Sequence, residues 1–182
     1  MPIYALGDLV PTLHPSAFIH PDAVVIGDVR MAAESSAWPT AVLRADFGSI
    51  TVGARTSIQD GTVVHTTAEW PTSFGADCVV GHNAHVEGCT IEDRCLIGSG
   101  SVVLNRCVIG RGAIVAAGAL VSEGLRLPAG ALAVGVPARV IQPTDRAERD
   151  AWIDYGVGEY LGLCHRYPTE LRRIERDEAS TG

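Results

Sequence analysis

Aromatic side chains are scarce in this sequence of 182 residues. Phe, Trp and Tyr account for 5% of the chain, although hydrophobic residues account for 47%. The side chains of Val, Ile, Leu and Ala must therefore supply most of the core. The length fits a single domain with room for a small appendage, and the 20 glycines suit a chain that turns every few residues.

Basic clusters and long apolar runs are absent as well. The net charge of −7, with no local concentration of Lys and Arg, argues against nucleic acid or an anionic membrane as the main partner. No apolar stretch approaches the length of a membrane span, and the N-terminus lacks the basic-then-apolar pattern of a secretion signal. We therefore expect a cytoplasmic protein that binds neither nucleic acid nor membranes.

The sequence does contain a six-residue repeat. Aliphatic residues recur six positions apart at Ile91, Ile97, Val103, Ile109 and Val115. Neither a helix nor an ordinary two-faced strand keeps this period, whereas a parallel β-helix does, with three hexapeptides in each triangular coil. The pattern continues with interruptions from about residue 12 to about residue 142. It predicts an all-β protein in which the leading aliphatic residues stack inside a prism.

The cysteines fit the same repeat. None of the five forms a Cys-x-x-Cys pair. Cys78, Cys95 and Cys107 each take the fifth position of a hexapeptide, a position that Ala113 and Ala119 take later. We therefore expect buried, reduced thiols and neither zinc ligands nor disulfides.

The last part of the chain follows a helical pattern. Asp145 followed by Glu148 is typical of a helix start, and apolar residues then recur at helical spacing. Pro168 is expected to begin a second short helix. The predicted organisation is a β-helix domain over residues 1–142 and a helical segment over residues 143–182 that packs on one flat face of the prism.

The repeat also indicates which distant side chains lie side by side. Val64 and Val86 are three units apart if one loop insertion is allowed, so His65 and Glu87 should point outward from one face of adjacent coils. Their backbones should be ~4.8 Å apart, and both side chains could reach one metal ion at ~2.1 Å. His82 lies at the preceding corner and cannot join them within one chain. In a homotrimer, His82 of one subunit could face the other two residues on its neighbour.

Several motifs carry a resemblance to a known family. They are the segments 42–46, 58–65 and 80–82 and the terminal Gly135-x-Pro137-Ala138. On these residues the chain resembles the gamma-class carbonic anhydrases and their bacterial homologues over about residues 10–142. The resemblance implies a left-handed β-helix, a homotrimer, and a site at each subunit interface for zinc or another divalent metal such as iron or cobalt. The implied reaction is the reversible hydration of CO2 to bicarbonate.

The resemblance implies three histidine ligands, and this sequence departs from that set. His65 and His82 match two of the ligands, but Glu87 stands where the family usually has the third histidine. A carboxylate is an acceptable zinc ligand, and Glu87 is expected to be the third ligand because it is in register with His65. His85, offset by two residues along the strand, is an alternative ligand, and loss of the metal is another outcome.

The resemblance also implies roles for residues around the metal. Gln59 matches the residue that orients the metal-bound water. Arg44 and Asp60 match a salt bridge at the subunit interface, and Asp46 matches the acidic partner in that cluster. Glu69, in the inserted loop, is a candidate proton shuttle.

Two other functions are compatible with the same residues. A hexapeptide acyltransferase that uses acyl-CoA needs a catalytic histidine as general base and a groove for CoA along the coils near Gly135 to Arg139. A catalytically silent trimeric scaffold is the third hypothesis. Bound metal without hydration activity would favour the scaffold.

Overall fold

A computed structural model describes residues 2–141 and 145–175. The chain winds into a parallel β-solenoid of about seven turns, which matches the left-handed β-helix of hexapeptide-repeat proteins. The prediction of an all-β, left-handed β-helix with a C-terminal helix is therefore confirmed. The predicted boundary between the two parts lies outside the described residues, as do residues 176–182.

Three flat faces make up the prism, and two long strands, β4 (Val24–Met31) and β6 (Val42–Val52), run from the first face onto the second. The other strands of the first face are β1 (Ile3–Tyr4), β8 (Val63–His65), β11 (His85–Glu87), β14 (Val102–Val103) and β17 (Leu120–Val121). The other strands of the second face are β2 (Thr12–Leu13), β9 (Thr72–Phe74), β12 (Thr90–Ile91), β15 (Val108–Ile109) and β18 (Arg126–Leu127). The third face consists of β3 (Phe18–Ile19), β5 (Ser36–Ala37), β7 (Ser57–Ile58), β10 (Val79–Val80), β13 (Leu96–Ile97), β16 (Ile114–Val115), β19 (Leu132–Val134) and β20 (Arg139–Ile141).

The core consists of the leading aliphatic residues of the repeat. Ile97, Val103, Ile109 and Val115 are all 0% exposed. All five cysteines are free and buried, as expected, including the three that the repeat placed at corners, Cys78, Cys95 and Cys107. Burial raises the pKa of the Cys89 thiol, which keeps it protonated and unreactive.

The corners are turns in which the backbone adopts left-handed conformations. We call the corner between the third and first faces the histidine edge; it comprises residues 59–62, 81–84, 98–101 and 116–119. Gly81 on this edge has a packing role, because a Cβ there would lie 2.7 Å from the backbone nitrogen of Ser99 on the next coil. The coils therefore approach too closely at this point for a larger residue.

The β-helix begins earlier than the repeat predicted. Strand β1 pairs with residues 25–26 of β4, whereas the repeat placed the start at about residue 12. Residues 3–4 lie before the first hexapeptide of the pattern, so the repeat could not reveal this strand.

One helix, α1 (Arg146–Glu170), packs on the third face. Asp145 caps it by accepting hydrogen bonds from the backbone nitrogens of Ala147 and Glu148, as predicted. The predicted second helix at Pro168 is wrong, because α1 continues through Pro168 and residues 171–175 are not helical. Tyr167 explains the continuation, since it is anchored against the third face. The described helix lacks the long apolar stretch that crossing a membrane requires.

Candidate functional site

One cluster of polar side chains lies on the first face of the prism. The strand pairing aligns Arg44 of β6 with His65 of β8, and His65 with Glu87 of β11. The register predicted for His65 and Glu87 is therefore confirmed. Asp46 lies two residues beyond Arg44, and His85 lies two residues before Glu87. We call these five residues the first-face cluster.

Hydrogen bonds join the members of the first-face cluster into one chain. Arg44 Nη1 donates to Asp46 Oδ2. His65 Nε2 lies 2.9 Å from Asp46 Oδ1, and His65 Nδ1 lies 3.0 Å from Glu87 Oε1. The other oxygen of Glu87 lies 3.3 Å from His85 Nε2. A carboxylate oxygen therefore lies within hydrogen-bond distance of each ring nitrogen of His65.

The two carboxylates of this cluster favour their ionised form. Partial burial raises the pKa of Asp46, but hydrogen bonds from His65 and Arg44 outweigh it and bring the pKa below its ordinary value. Burial also raises the pKa of Glu87, and hydrogen bonds from His65 and His85 reverse this, so its pKa is lowered as well. The first-face cluster is therefore a row in which nitrogen donors alternate with ionised carboxylates.

A metal ion could bind His65 only by displacing one of its two carboxylate partners. A metal-binding histidine needs a ring nitrogen with a free lone pair, whereas carboxylates occupy both nitrogens of His65. An ion between His65 and Glu87 would leave His65 bonded to Asp46, and such a carboxylate partner is common behind metal-binding histidines. In the part of one chain that the structure describes, no group of three or more His, Cys, Asp or Glu side chains could hold a metal. One chain therefore fits zinc only in part, with two ligands where a catalytic site uses three.

A second cluster lies on the histidine edge. His82 Nδ1 lies 3.0 Å from Asp60 Oδ2, so this nitrogen donates and Nε2 carries the lone pair. The two residues stand on neighbouring coils, where Asn83 N donates to Asp60 O. The side chains of His82 and Asp60 are 47% and 43% exposed, so the imidazole is accessible to solutes. We call this pair the His82–Asp60 dyad.

Helix α1 supplies the neighbour of the His82–Asp60 dyad. The hydroxyl of Tyr160 lies 3.4 Å from His82 Nε2. Burial raises the pKa of Tyr160, and the charge of Asp60 raises it further, so the hydroxyl stays protonated. The ring of Trp38 packs edge-on against the Tyr160 ring, with centroids 5.2 Å apart, and so holds this side chain in place.

The other predicted site residues lie in different environments. Gln59 is buried in the corner that also holds Asp60, and Glu69 is exposed in the loop between β8 and β9. The predicted salt bridge of Arg44 and Asp60 concerns a contact between subunits, and within one chain each of them has another partner. The roles assigned to these four residues stay predictions.

The pairing of Asp60 with His82 was not predicted. The two residues are 22 positions apart, which is also the separation of His65 and Glu87. The register that placed His65 beside Glu87 would therefore have placed Asp60 beside His82. The resemblance had already assigned Asp60 to Arg44, so this pair was missed.

Known proteins are similar to this chain over nearly its full length. The family model described as bacterial transferase hexapeptide (six repeats) matches residues 71–105 and 88–123. The carnitine operon protein CaiE of Escherichia coli (strain SMS-3-5 / SECEC) is 37% identical over 183 residues, which cover 99% of this chain and 93% of CaiE.

Two solved structures are similar in both fold and sequence. A Bacillus cereus protein described as a "putative acetyltransferase" has a TM-score of 0.90 and 33% identity, over 93% of this chain and 98% of that chain. A hexapeptide transferase family protein from Anaplasma phagocytophilum has a TM-score of 0.87 and 32% identity, over 91% of this chain and 98% of that chain. These similarities show that the chain belongs to the hexapeptide-repeat transferase family.

Proposed function

We propose that the protein is an acyltransferase that moves an acyl group from a thioester such as acyl-CoA to a hydroxyl or amine. The His82–Asp60 dyad carries this proposal. Its imidazole is half exposed and is oriented by a carboxylate, which is the arrangement of a general base. The description of the Bacillus cereus relative supports the same class of reaction.

The dyad determines where the protons go. Asp60 accepts from His82 Nδ1, so Nε2 takes the proton of the acceptor as the acceptor oxygen or nitrogen attacks the thioester carbonyl. The C–S bond then breaks, and the departing thiolate takes the proton back from the imidazolium. The Tyr160 hydroxyl lies 3.4 Å from Nε2, beside the position where the acceptor would bind.

Release of free thiol from acetyl-CoA in the presence of a panel of amines and alcohols tests this function. We expect His82→Asn and Asp60→Asn to lower kcat by about 10²–10⁴-fold for the loss of base catalysis. The matched control is His165→Asn, since His165 forms a similar exposed pair with Glu34, at 2.9 Å, away from the dyad. Thiol release that is unchanged in His82→Asn, or absent with every acceptor and thioester, would contradict the proposal.

A second candidate is metal-dependent hydration of CO2. It is favoured by the 3.0 Å separation of His65 Nδ1 and Glu87 Oε1 on neighbouring strands. In a homotrimer these two residues would hold the ion together with His82 of a second subunit. A bound divalent metal would lower the pKa of water from about 15.7 toward 7.

Metal analysis and a CO2 hydration assay on the same preparation separate the candidates. Stoichiometric zinc, iron or cobalt with hydration activity and no thiol release would favour the hydratase. Metal without either activity would favour the silent scaffold. Thiol release that persists after chelation would favour the acyltransferase.

A further inference from the structure

A groove of ≈ 450 Å³ lies between the first half of α1 and the third face. This volume is within the range of about 300–1,000 Å³ that small-molecule sites occupy. Its lining includes Leu96, Gly98, Ile114, Ala116, Ala117 and Trp152. The position predicted for a CoA groove, Gly135 to Arg139, comprises a turn and the first residue of β20, and it stays a prediction.

The groove begins one coil away from the His82–Asp60 dyad. Gly98 belongs to the corner that stacks directly on the corner of His82, since Gly100 N donates to His82 O. Ala117 belongs to the following corner, where Gly118 N donates to Ser99 O. Neighbouring coils are ~4.8 Å apart. The groove and the imidazole of His82 therefore lie in sequence along the histidine edge.

Helix α1 forms a wall that the groove and the dyad share. Trp152 lines the groove, and Tyr160 of the same helix contacts His82 two turns later. The helix lies close to the third face between these two positions, where a Cβ at Gly156 would be 3.1 Å from Val79. Because Gly98 lines the groove in the corner next to that of His82, a ligand would approach the dyad over Gly98.

The chemistry of the lining selects an uncharged, apolar ligand. The walls are mostly aliphatic, and the small side chains of Ala116 and Ala117 leave space at the floor. Two carboxylates, Asp145 and Glu148, also line the groove and would repel phosphates. Arg149 does not offset them, because its guanidinium is engaged by Asp150 and by a backbone carbonyl.

We propose that this groove binds the acyl chain of a medium-chain thioester and directs its carbonyl to His82. The inference rests on the proposed acyl transfer, and it adds the class of acyl donor. A chain that enters the groove gains about fourfold in affinity for each buried methylene. The phosphates and nucleotide of the donor then remain outside the groove, away from the two carboxylates.

Filling the floor of the groove tests the proposal. Ala117→Phe places a ring where the chain would lie, and Ala129→Phe is the matched control, because Ala129 is an exposed alanine in an equivalent turn on a different edge. Binding of the uncharged probe 1-decanol, measured by titration calorimetry on the full-length protein, should weaken at least about tenfold in Ala117→Phe. It should be unchanged in Ala129→Phe.

Kinetics with two donors give an independent readout. The ratio of kcat/KM for decanoyl-CoA to that for acetyl-CoA should fall at least about tenfold in Ala117→Phe and stay at the wild-type value in Ala129→Phe. Acetyl transfer without decanol binding would overturn the groove proposal and leave the acyltransferase standing. Decanol binding that Ala117→Phe blocks, without acyl transfer to any acceptor, would retain the groove and overturn the acyltransferase.

A second copy of the chain is the competing occupant of the groove. Sedimentation of the wild type, Ala117→Phe and Ala129→Phe distinguishes the two. An unchanged oligomer in all three supports the ligand site. A change of oligomeric state in Ala117→Phe alone would overturn the proposal.

Discussion

His65 is held by a carboxylate at each ring nitrogen, and this links the ionisation of Asp46 and Glu87 to folding. The folded protein lowers the pKa of both carboxyls. The unfolded chain therefore binds more protons at pH values just below their ordinary pKa of about 4. The stabilisation is present above that pH and is lost as the pH falls through the lowered values.

The free energy of unfolding should therefore depend on pH in the acid range. We predict that the free energy of unfolding falls as the pH is lowered from about 5 to about 3, and that Glu87→Gln makes this fall less steep. Glutamine keeps the shape of the side chain but cannot be ionised. Urea unfolding at a series of pH values measures the effect, with Glu159→Gln on the exposed side of α1 as the control. Equal slopes for Glu87→Gln and the wild type would contradict the prediction.

The choice of metal ligand is a second prediction at single residues. If the protein binds metal, Glu87→Ala should remove most of it, because Glu87 is in register with His65. Glu87→His should retain at least wild-type content, and His85→Ala should lose little, because His85 pairs with Val63 instead. Metal analysis of the purified variants gives the answer. If the metal content falls in His85→Ala but is unchanged in Glu87→Ala, His85 and not Glu87 is the third ligand.

Backbone register at the site could be predicted, but hydrogen-bond partners could not. Counting hexapeptides placed His65 beside Glu87 because the repeat determines which residues stack. Asp46 lies within β6 where the strand bends from one face to the next, and there the hexapeptide pattern is interrupted. The side-chain rotamer of Asp46 determines that its carboxylate contacts both Arg44 and His65. A repeat pattern carries no information about rotamers.

At the scale of elements, aromatic rings attach α1 to the third face. Tyr167 packs edge-on against Phe18, with ring centroids 5.7 Å apart, and against Trp38 at 5.0 Å. Edge-to-face pairs each contribute about 0.5–1.5 kcal/mol beyond the area they bury. These contacts stabilise the last turns of the helix despite Pro168, which lacks a backbone donor.

Removal of this anchor should loosen the helix. We predict that Tyr167→Ala lowers the free energy of unfolding by about 1–3 kcal/mol through the loss of two ring pairs. Tyr155→Ala is the matched control, since Tyr155 lies on the same helix and is 69% exposed. Chemical denaturation followed by circular dichroism compares the two. A Tyr167→Ala variant as stable as Tyr155→Ala would show that the rings do not anchor the helix.

Elements that lie within many regular hexapeptides could be predicted from the sequence, and elements outside the repeat could not. The stretch from Ile91 to Val115 was predicted correctly because every unit there has its leading aliphatic residue. Strand β1 was missed because it lies before the first hexapeptide of the pattern. The second helix was wrongly predicted because proline is common at helix starts, and only the packing of Tyr167 reveals that α1 does not stop.

At the scale of the whole molecule, the first face has an outward row that is mostly apolar. Val63 is 38% exposed and is flanked on neighbouring strands by Val42 and His85. The row continues through Val102 to Leu120. An apolar strip beside the first-face cluster suits burial against further copies of the chain.

We therefore predict a homotrimer in solution, assembled through the first face. Val63→Glu should shift the mass measured by light scattering toward the monomer, because the trimer would have to bury a carboxylate within the apolar strip. Val136→Glu is the matched control, as Val136 is 71% exposed in a turn. A wild-type protein that is monomeric at all concentrations, or a Val63→Glu trimer as stable as the control, would contradict this assembly.

The course of α1 has a consequence for cooperativity. In a solenoid each coil touches only its neighbours, so such molecules tend to unravel from their ends. Here the helix runs back along the stack: Arg149 donates to the carbonyl of Gly130 among the last coils, while His165 contacts Glu34 near the first, at 2.9 Å. Fraying at either end of the stack therefore also breaks contacts to the helix. The helix makes an otherwise linear array lose its structure as one unit.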